Sequence, residues 1–526
     1  ELPNDWQMET DYTWTSNVNR QGSAQFYSST VPLAMYTGAL NPFVDSSVST
    51  LNLSPYRGNA WGRFPSSLDN MALRVAGPIW QLPAGSPTLA IGLERRKESM
   101  EEGPYRWNYP TLPVYSLNRT YRGQSQTVLS AYAELKVPLV SSANSVPFVR
   151  ELDLQLAGRT EHFKVSTGTS YIDAGTNAAI VNSEVTYSST NPTIGLRFKP
   201  FDGIMLRASY ATGFLPPDFG QFMAPILGGG DSTGPNATRN VIDPLRGNQV
   251  TAVNFIAGGN PDIEPQSSTS WSLGLVWEPA FVEGLRASVD WYRLKLKDVA
   301  VTPTPQQIVN LERLYPNRVR RAAASPGDPY GVGQLTLVDF SLLNANEMST
   351  EGVDFTLSYR FGAGSWGNFQ LAAMGTTIRS FERQTAIGTP LVDVVNDVAD
   401  NGPLKHKGNL SATWVRGAWK ADWMVSYFGS YNQYDTGGLT TYVLAQGSRT
   451  VPSQTYHDAV LEYRWQDESS GTLSDRLLSG TTVQLGISNV FDKTPPFDAY
   501  YNFNNYISPF GDARLREYWL SLTKRF

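Results

Sequence analysis

The sequence predicts an all-β fold, a transmembrane antiparallel β-barrel with short periplasmic turns and long extracellular loops. Three observations predict it. Period-two alternation recurs along the chain, short and long connections alternate between the alternating runs, and the last run stops on a bare phenylalanine.

Alternation comes first. In "STSWSLGLVWEP", Trp271, Leu273, Leu275 and Trp277 fall on one face, with Ser270, Ser272, Gly274 and Val276 on the other. "PTIGLRFKP" sets Ile194, Leu196 and Phe198 against Gly195, Arg197 and Lys199, and "IMLRASYATGF" sets Ile204, Leu206, Ala208 and Tyr210 against Arg207, Ser209 and Ala211. "EGVDFTLSYRFG" is the clearest, with Val353, Phe355, Leu357, Tyr359 and Phe361 opposed to Asp354, Thr356, Ser358 and Arg360. About 16 such strands are predicted, at 5–16, 74–83, 87–100, 127–138, 149–164, 190–200, 203–215, 268–279, 284–300, 349–362, 367–382, 405–416, 419–434, 454–465, 482–493 and 514–526. Most are long enough for the ~9–11 residues with which a tilted strand crosses a bilayer. Aromatic residues gather at strand ends, as interfacial belts require. One strand switches faces: in "GLRASVDWYRLKLKDVA" the apolar positions run Leu285, Ala287, Val289, then Tyr292, Leu294, Leu296. A bulge, or emergence above the membrane, would produce that switch.

The connections set the orientation. "PAG", "PFDG", "PAFVEG", "GAGSWG" and "RGAW" are tight, whereas 17–73, 101–126, 165–189, 216–267, 301–348, 383–404, 435–453 and 494–513 are long. All the turns on one rim and all the large loops on the other is the outer-membrane barrel arrangement. The final strand then descends to the periplasmic rim. Its outward face reads Phe526, Lys524, Leu522, Leu520 and Tyr518, a terminal pattern that barrel-assembly machinery can read. An ordinary edge strand of a soluble sheet is the alternative for this segment alone.

Composition agrees. Charged residues are 17% and aromatics 12% of the 526 residues, while mean hydropathy is −0.29. Low charge without overall oiliness suits apolar residues confined to one face of many strands. A net charge of −5 gives no sign of a nucleic-acid partner. There are no cysteines, so thiol catalysis and disulfides are excluded, and no run of 18 apolar residues forms a helical span.

Six blocks in order resemble the TonB-dependent outer-membrane receptors of Gram-negative bacteria. They are "LPAGSPTLAIGLERRKE", "NPTIGLRFKPFDGIMLRASYATGFLPPDFGQ", "GGNPDIEPQSSTSWSLGLVWEP", "GLRASVDWYRLKLKDVA", "STEGVDFTLSYRF", and "LGISNVFDKTPP" followed by "REYWLSLTKRF". The resemblance runs across most of 74–526 and implies a receptor barrel that is not an enzyme and has no cofactor. Members carry a plug domain and a TonB-binding segment before the barrel. Neither is found here, and about 16 strands fall short of the 22 of plugged transporters. The expectation is that 1–526 is the barrel domain, incomplete on its N-terminal side, with Glu1 partway through a longer receptor. Such a partial sheet would leave open edges and would need the missing piece.

The resemblance further implies active uptake of a scarce ligand, energised by the inner-membrane TonB complex through the plug. An iron chelate such as a ferric siderophore is the expected ligand, with cobalamin, oligosaccharide or peptide as alternatives. Other expected partners are the bilayer and lipopolysaccharide, with the complete receptor a monomer. Arg197, Arg207, Asp354 and Arg360 would line the lumen, toward plug or ligand, or simply toward water. In the loops, Tyr500, Tyr501, Tyr506 and Phe510 with Asn502 combine stacking and hydrogen bonding, and are candidates for ligand contact. Self-packing of a long loop is the competing account. "PQQIVNLERLYPNRVRRA" predicts a short helix, and its Arg318, Arg320 and Arg321 could meet an anion or only solvent. Loop 216–267, with "GGGDSTG", reads as mobile. Haem is disfavoured: members that import it use a histidine in the corresponding loop, and 216–260 has none. No metal, serine-hydrolase or phosphate-loop motif is present. A passive 16-stranded porin and an adhesive barrel are the rival readings.

Overall fold

A computed structural model describes the chain except residues 1–2, 27–29, 46–50, 109–116, 169–170, 174–181, 223–225, 229–238, 385–386, 435–440, 466–477, 502–505 and 525–526. Its main element is a 20-stranded sheet in which every pairing is antiparallel. Four of those strands are short loop extensions, Gly103–Asn108, Leu117–Tyr121, Tyr171–Asp173 and Leu391–Asp393. The other sixteen are long staves, each paired with the next in sequence. They are β1 Gln7–Phe26, β2 Arg57–Pro78, β3 Thr88–Met100, β4 Gln124–Val140, β5 Glu151–Gly168, β6 Asn182–Lys199, β7 Ile204–Leu215 and β8 Gln266–Trp277, then β9 Leu285–Val301, β10 Leu343–Gly362, β11 Asn368–Gln384, β12 His406–Arg416, β13 Trp419–Phe428, β14 Gln454–Arg464, β15 Thr481–Ser488 and β16 Glu517–Lys524. Among the described residues no pairing joins β1 to β16.

Every predicted strand has a counterpart, but the first hairpin is shifted. Expected at 5–16 and 74–83, it spans Gln7–Phe26 and Arg57–Pro78 in continuous register. Its upper half carries polar residues, glycines and Pro65, so it has no apolar alternation to read, while the backbone ladder forms regardless. The short turns rely on local backbone chemistry. Gly284 closes the β8–β9 turn at φ +81°, where a Cβ would sit 2.1 Å from the Arg360 carbonyl oxygen.

The oily side chains face outward. Trp271 is 51% exposed and Phe355 45%, and Leu275 and Leu357 are exposed beside them. These residues line up across strands: Leu206, Leu275, Val289 and Phe355 lie in one register row on β7–β10. Tyr518, Leu520 and Leu522 of β16 share that face with Ile487, Leu485 and Val483. Exposed aromatics mark the turn rim, among them Phe148, Phe281 and Trp366, as an interfacial girdle requires. The face switch in β9 is emergence rather than a bulge. Pairing with β8 runs unbroken from Trp277–Ala287 to Ser267–Lys297, so the outward row continues as Trp291, Arg293, Lys295 and Lys297. The irregularity comes later, between Leu296 and Val299, where Asp298 takes φ 58°.

A second, smaller sheet is built from the loops. Strands Ile226–Gly228, Arg239–Asp243, Gln249–Ala257, Val319–Arg321 and Leu335–Asp339 form it, and the helix Pro305–Asn310 packs on it. Its core joins Val241, Val253, Ile308, Val309, Val338 and, from a third loop, Ile387. Within loop 216–267 the segments Ile226–Gly228, Arg239–Asp243 and Gln249–Ala257 are thus strand, whereas "GGGDSTG", on which the expectation of mobility rested, lies mostly outside the described residues.

Candidate ligand-facing surface

Two surfaces can meet a solute: the inward face of the staves and the loops above them. On the inward face, period two places polar side chains opposite the oily ones. Asp153, Arg197, Arg207, Gly274, Asp290, Asp354, Thr376 and Lys407 form one register row across β5–β12. Three of the predicted lumen residues, Arg197, Arg207 and Asp354, therefore belong to a single band. Arg197 donates to Asp153 at 3.0 Å and lies 3.0 Å from Glu151. Arg207 makes two bonds to Asp290, at 2.9 and 2.8 Å. Thr376 donates to Asp354 at 2.7 Å. Of the like-charged neighbours Arg197–Arg207 and Asp290–Asp354, the first three each have an oppositely charged partner, and Asp354 accepts from the neutral Thr376 hydroxyl, which makes the row tolerable. Arg360 is apart from it, exposed near the turn rim.

A second inward cluster centres on Arg159, which donates to Glu94, Glu161 and Ser130 at 2.9 Å each. It borders an inward cavity of about 590 Å³ that also touches Arg74 and Tyr132. A solute there meets fixed, already paired charges rather than lone ones.

The loops are organised by buried polar groups. Helix Pro305–Asn310 starts with a capping box, Thr304 with Gln307, as the short-helix expectation implied. Of the loop arginines, expected to meet an anion or only solvent, Arg318 and Arg321 bond within the loops themselves. Arg321 holds Asp243 at 2.7 and 2.9 Å and Glu312 at 2.8 and 2.7 Å, and Asp243 is 0% exposed. Those carboxylates, Glu312 first, push its pKa further up. Arg318 donates to the Ser341 and Leu342 carbonyls at 2.7 and 3.3 Å. Both guanidinium groups tie the small sheet together. Arg320 alone of the three is exposed.

The tyrosine loop is fastened by Asp498, which is buried and accepts from Tyr431 Oη at 2.6 Å, Gln433 Nε2 at 3.1 Å and the Tyr500 amide at 3.0 Å. Burial first, then that carboxylate, pushes the Tyr431 phenol far up. Tyr500 packs with Tyr434, Tyr442 and Tyr501 at ring distances of 4.9, 5.4 and 5.3 Å. Tyr506 stacks on Phe497 at 6.1 Å and stays exposed. Phe510 stacks on Phe428 at 5.4 Å and packs against the core formed by Leu404, Tyr431 and Val451. Phe510 is thus partly buried against the core of this loop. Asn502 and Phe526 lie outside the described residues. Sequence reading missed Tyr434 and Tyr442, although "YNQYD" repeats the tyrosine-and-amide composition of the later loop.

A family model described as TonB dependent receptor-like, beta-barrel, matches residues 1–490. The chain belongs to the TonB-dependent receptor family. It is accordingly a multi-pass barrel protein of the Gram-negative outer membrane. Among solved structures, this receptor is similar to the ferric-catecholate import receptor Fiu from Escherichia coli K12, with 12% identity and a TM-score of 0.53 over 99% of this chain and 62% of that one. It is also similar to the outer-membrane ferripyoverdine receptor of Pseudomonas aeruginosa, at 13% identity and TM-score 0.54, covering 99% of this chain and 54% of that one. The pyoverdine receptor FpvA from P. aeruginosa PAO1 gives 13% identity and TM-score 0.56, covering 100% and 60%. These likenesses show the fold. The receptor chain spans a little over half the length of those proteins. No curated protein matches it in sequence.

Proposed function

We propose that the protein takes part in TonB-dependent active uptake of a scarce solute, a ferric siderophore in the first instance. The observation that carries the reading is the pairing of an oily outer face with an ordered, ion-paired inner face, in a family defined by TonB-dependent receptors. The outer membrane lacks its own energy source, so a pull from the inner membrane supplies the work, and no bond in the solute is broken. The siderophore assignment draws on the ferric-siderophore receptors among the similar structures. Tyr500, Tyr501, Tyr506 and Arg320 are the proposed loop contacts. Iron-limited cells expressing the receptor should accumulate radiolabelled ferric siderophore, and deletion of TonB should abolish it. Accumulation that persists without TonB rejects the mechanism. TonB-dependent uptake of cobalamin, oligosaccharide or peptide instead would reject only the ligand.

The sixteen staves also support the porin reading, because sixteen strands can close a barrel. We place them instead in a larger barrel, monomeric when complete, whose further strands and plug complete the edges at β1 and β16. The chain has no cysteines, so engineered pairs are clean probes. Cysteines replacing Trp14 and Leu520 should not cross-link in the outer membrane. Efficient cross-linking would mean that β1 and β16 meet, and would establish the closed porin.

A further inference from the structure

The long connections carry the net charge of the whole chain. Between the stave ends, the eight loop-side segments hold nineteen acidic and fourteen basic residues, a balance of −5 that equals the net charge of the protein. Staves and turns are therefore neutral in sum. Several loop arginines are also spent internally. Arg321 faces Asp243 and Glu312, Arg246 faces Asp328 at 2.7 Å, and Arg514 faces Asp512 and Glu517 at 2.6 and 3.2 Å. A field of this sign repels an anion approaching the loops and is indifferent to a neutral solute.

Three of these loops form one unit. Leu404, Tyr431 and Val451, with Phe510 against them, give segments 385–405, 429–453 and 489–516 a common core. A hollow of about 310 Å³ opens there, lined by Asp397, Asn432, Gln433, Tyr434, Arg449 and Thr450. That size is at the lower end for small-ligand sites, enough for one arm of a larger solute. Tyr434 joins the hollow to the tyrosine cluster, its ring 4.9 Å from Tyr500 and 5.9 Å from Tyr442. The two charged linings are one of each sign, and both are engaged. Asp397 accepts from Asn432 at 2.6 Å, and Arg449 has a partner as well. What the hollow offers a solute is ring surface and neutral polar groups.

Ferric chelates differ in charge through their donors. Three singly deprotonated hydroxamates neutralise Fe(III), whereas three doubly deprotonated catecholates leave three negative charges over. We propose that the loops select uncharged ferric chelates of the trihydroxamate kind over anionic tricatecholates, one arm of the chelate lying in the hollow against Tyr434. This rests on the siderophore reading above and narrows it to one charge class. The selection works by repulsion as well as by contact.

Cells producing the full receptor, given radiolabelled iron as the neutral trihydroxamate or the trianionic tricatecholate complex, test the charge class. TonB-dependent accumulation of the neutral complex should be faster by about tenfold. Added salt should narrow that gap, because it screens the loop field. Thr450→Lys adds a cation at the hollow and should raise tricatecholate uptake relative to the neutral complex by about tenfold, the effect of one charge-assisted contact. Tyr434→Ala should lower uptake of the neutral complex several-fold, and heat-modifiable gel mobility confirms that each variant is folded. Faster uptake of the tricatecholate, or a preference that folded Thr450→Lys does not shift, overturns the charge selection and leaves the siderophore reading in place. Neutral uptake unchanged in folded Tyr434→Ala overturns the site. TonB-dependent uptake of neither complex overturns the siderophore reading and this inference together.

Discussion

Arg207 and Asp290 are two strands apart, yet they meet through two hydrogen bonds of 2.9 and 2.8 Å above Gly274 of the intervening strand. A Cβ at Gly274 would lie 2.1 Å from Asp290 Oδ1 and 2.7 Å from Arg207 Nε. The glycine is there so that the bridge can cross. Arg207 is half-exposed, so the pair is worth no more than about 1 kcal/mol. Gly274→Ala should therefore lower unfolding stability by about that amount in the native sequence and have little effect in an Asp290→Ala background. Additive losses in a urea double-mutant cycle would show that the glycine serves something else.

Asp243 is the buried centre of the loop sheet, with Arg321 as its partner and Glu312 on the other side of the same guanidinium. Asp243 also accepts from the Leu245 amide, and removing it leaves Arg321 with Glu312 alone, at a cost of about 1.5–3 kcal/mol for the lost charged hydrogen bonds. Asp243→Ala should make loop segment 301–348 susceptible to limited proteolysis, while the barrel keeps its heat-modifiable mobility. Proteolysis unchanged from the native protein would mean that the apolar core around Val253 and Ile308 suffices.

The Tyr431–Asp498 bond holds the tyrosine loop against β13 and β14. Tyr431→Phe keeps the ring packing on Phe510 but removes one of the donors to a buried carboxylate. Hydrogen bonds to charged groups contribute about 1.5–3 kcal/mol. Amide exchange at Tyr500, whose N–H is held by the same carboxylate, should accelerate by roughly ten- to a hundredfold. If exchange there does not change, Gln433 alone fastens the loop.

Asp328 gives a pH dependence. The Tyr330 amide, and then the Arg246 guanidinium at 2.7 Å, hold its pKa below the ordinary aspartate value of 3.8. A carboxylate with a lowered folded-state pKa stabilises the fold above its unfolded value, and that contribution is lost as pH falls through the folded one. The tie between Arg246 and Asp328 should thus be intact at neutral pH and released only in acid below 3.8. The carboxyl carbon resonance of Asp328 should titrate with a midpoint below that of an unstructured peptide, and Arg246→Ala should move the midpoint upward. A midpoint at the ordinary value would exclude the pairing.

The staves were legible because lipid enforces a face: Val353, Phe355, Leu357 and Tyr359 must all point the same way, and period two records it. Where the staves rise above the hydrocarbon, as in the upper half of β2 around Pro65, no such constraint acts and the pattern vanishes. The loop sheet was hidden for another reason. It joins segments distant in sequence, such as Val253 with Val338 and Ile387, and contacts of that range leave no local period. The loop arginines misled because composition shows charge but not partners. Asp243, which neutralises Arg321, lies 78 residues away.

The two faces of one strand give the most direct test of the membrane assignment. Phe355 and Thr356 are neighbours on β10, but Phe355 continues the outward row of Val289 and Leu357 while Thr356 shares a 2.8 Å hydrogen bond with Ser288 on the inward side. Arginine at a lipid-facing position near the midplane costs about 2–4 kcal/mol, whereas a lumen position is wet and tolerates charge. Phe355→Arg should therefore reduce the folded, heat-modifiable receptor in outer-membrane fractions several-fold, and Thr356→Arg should leave most of it. Both substitutions break packing to some degree, so the difference between them is the measure. A soluble sheet with a buried face would reject arginine on that face, but its exposed face would accept Phe355→Arg freely. Equal tolerance of the two substitutions, or a greater loss from Thr356→Arg, would therefore contradict the hydrocarbon-facing placement of Phe355.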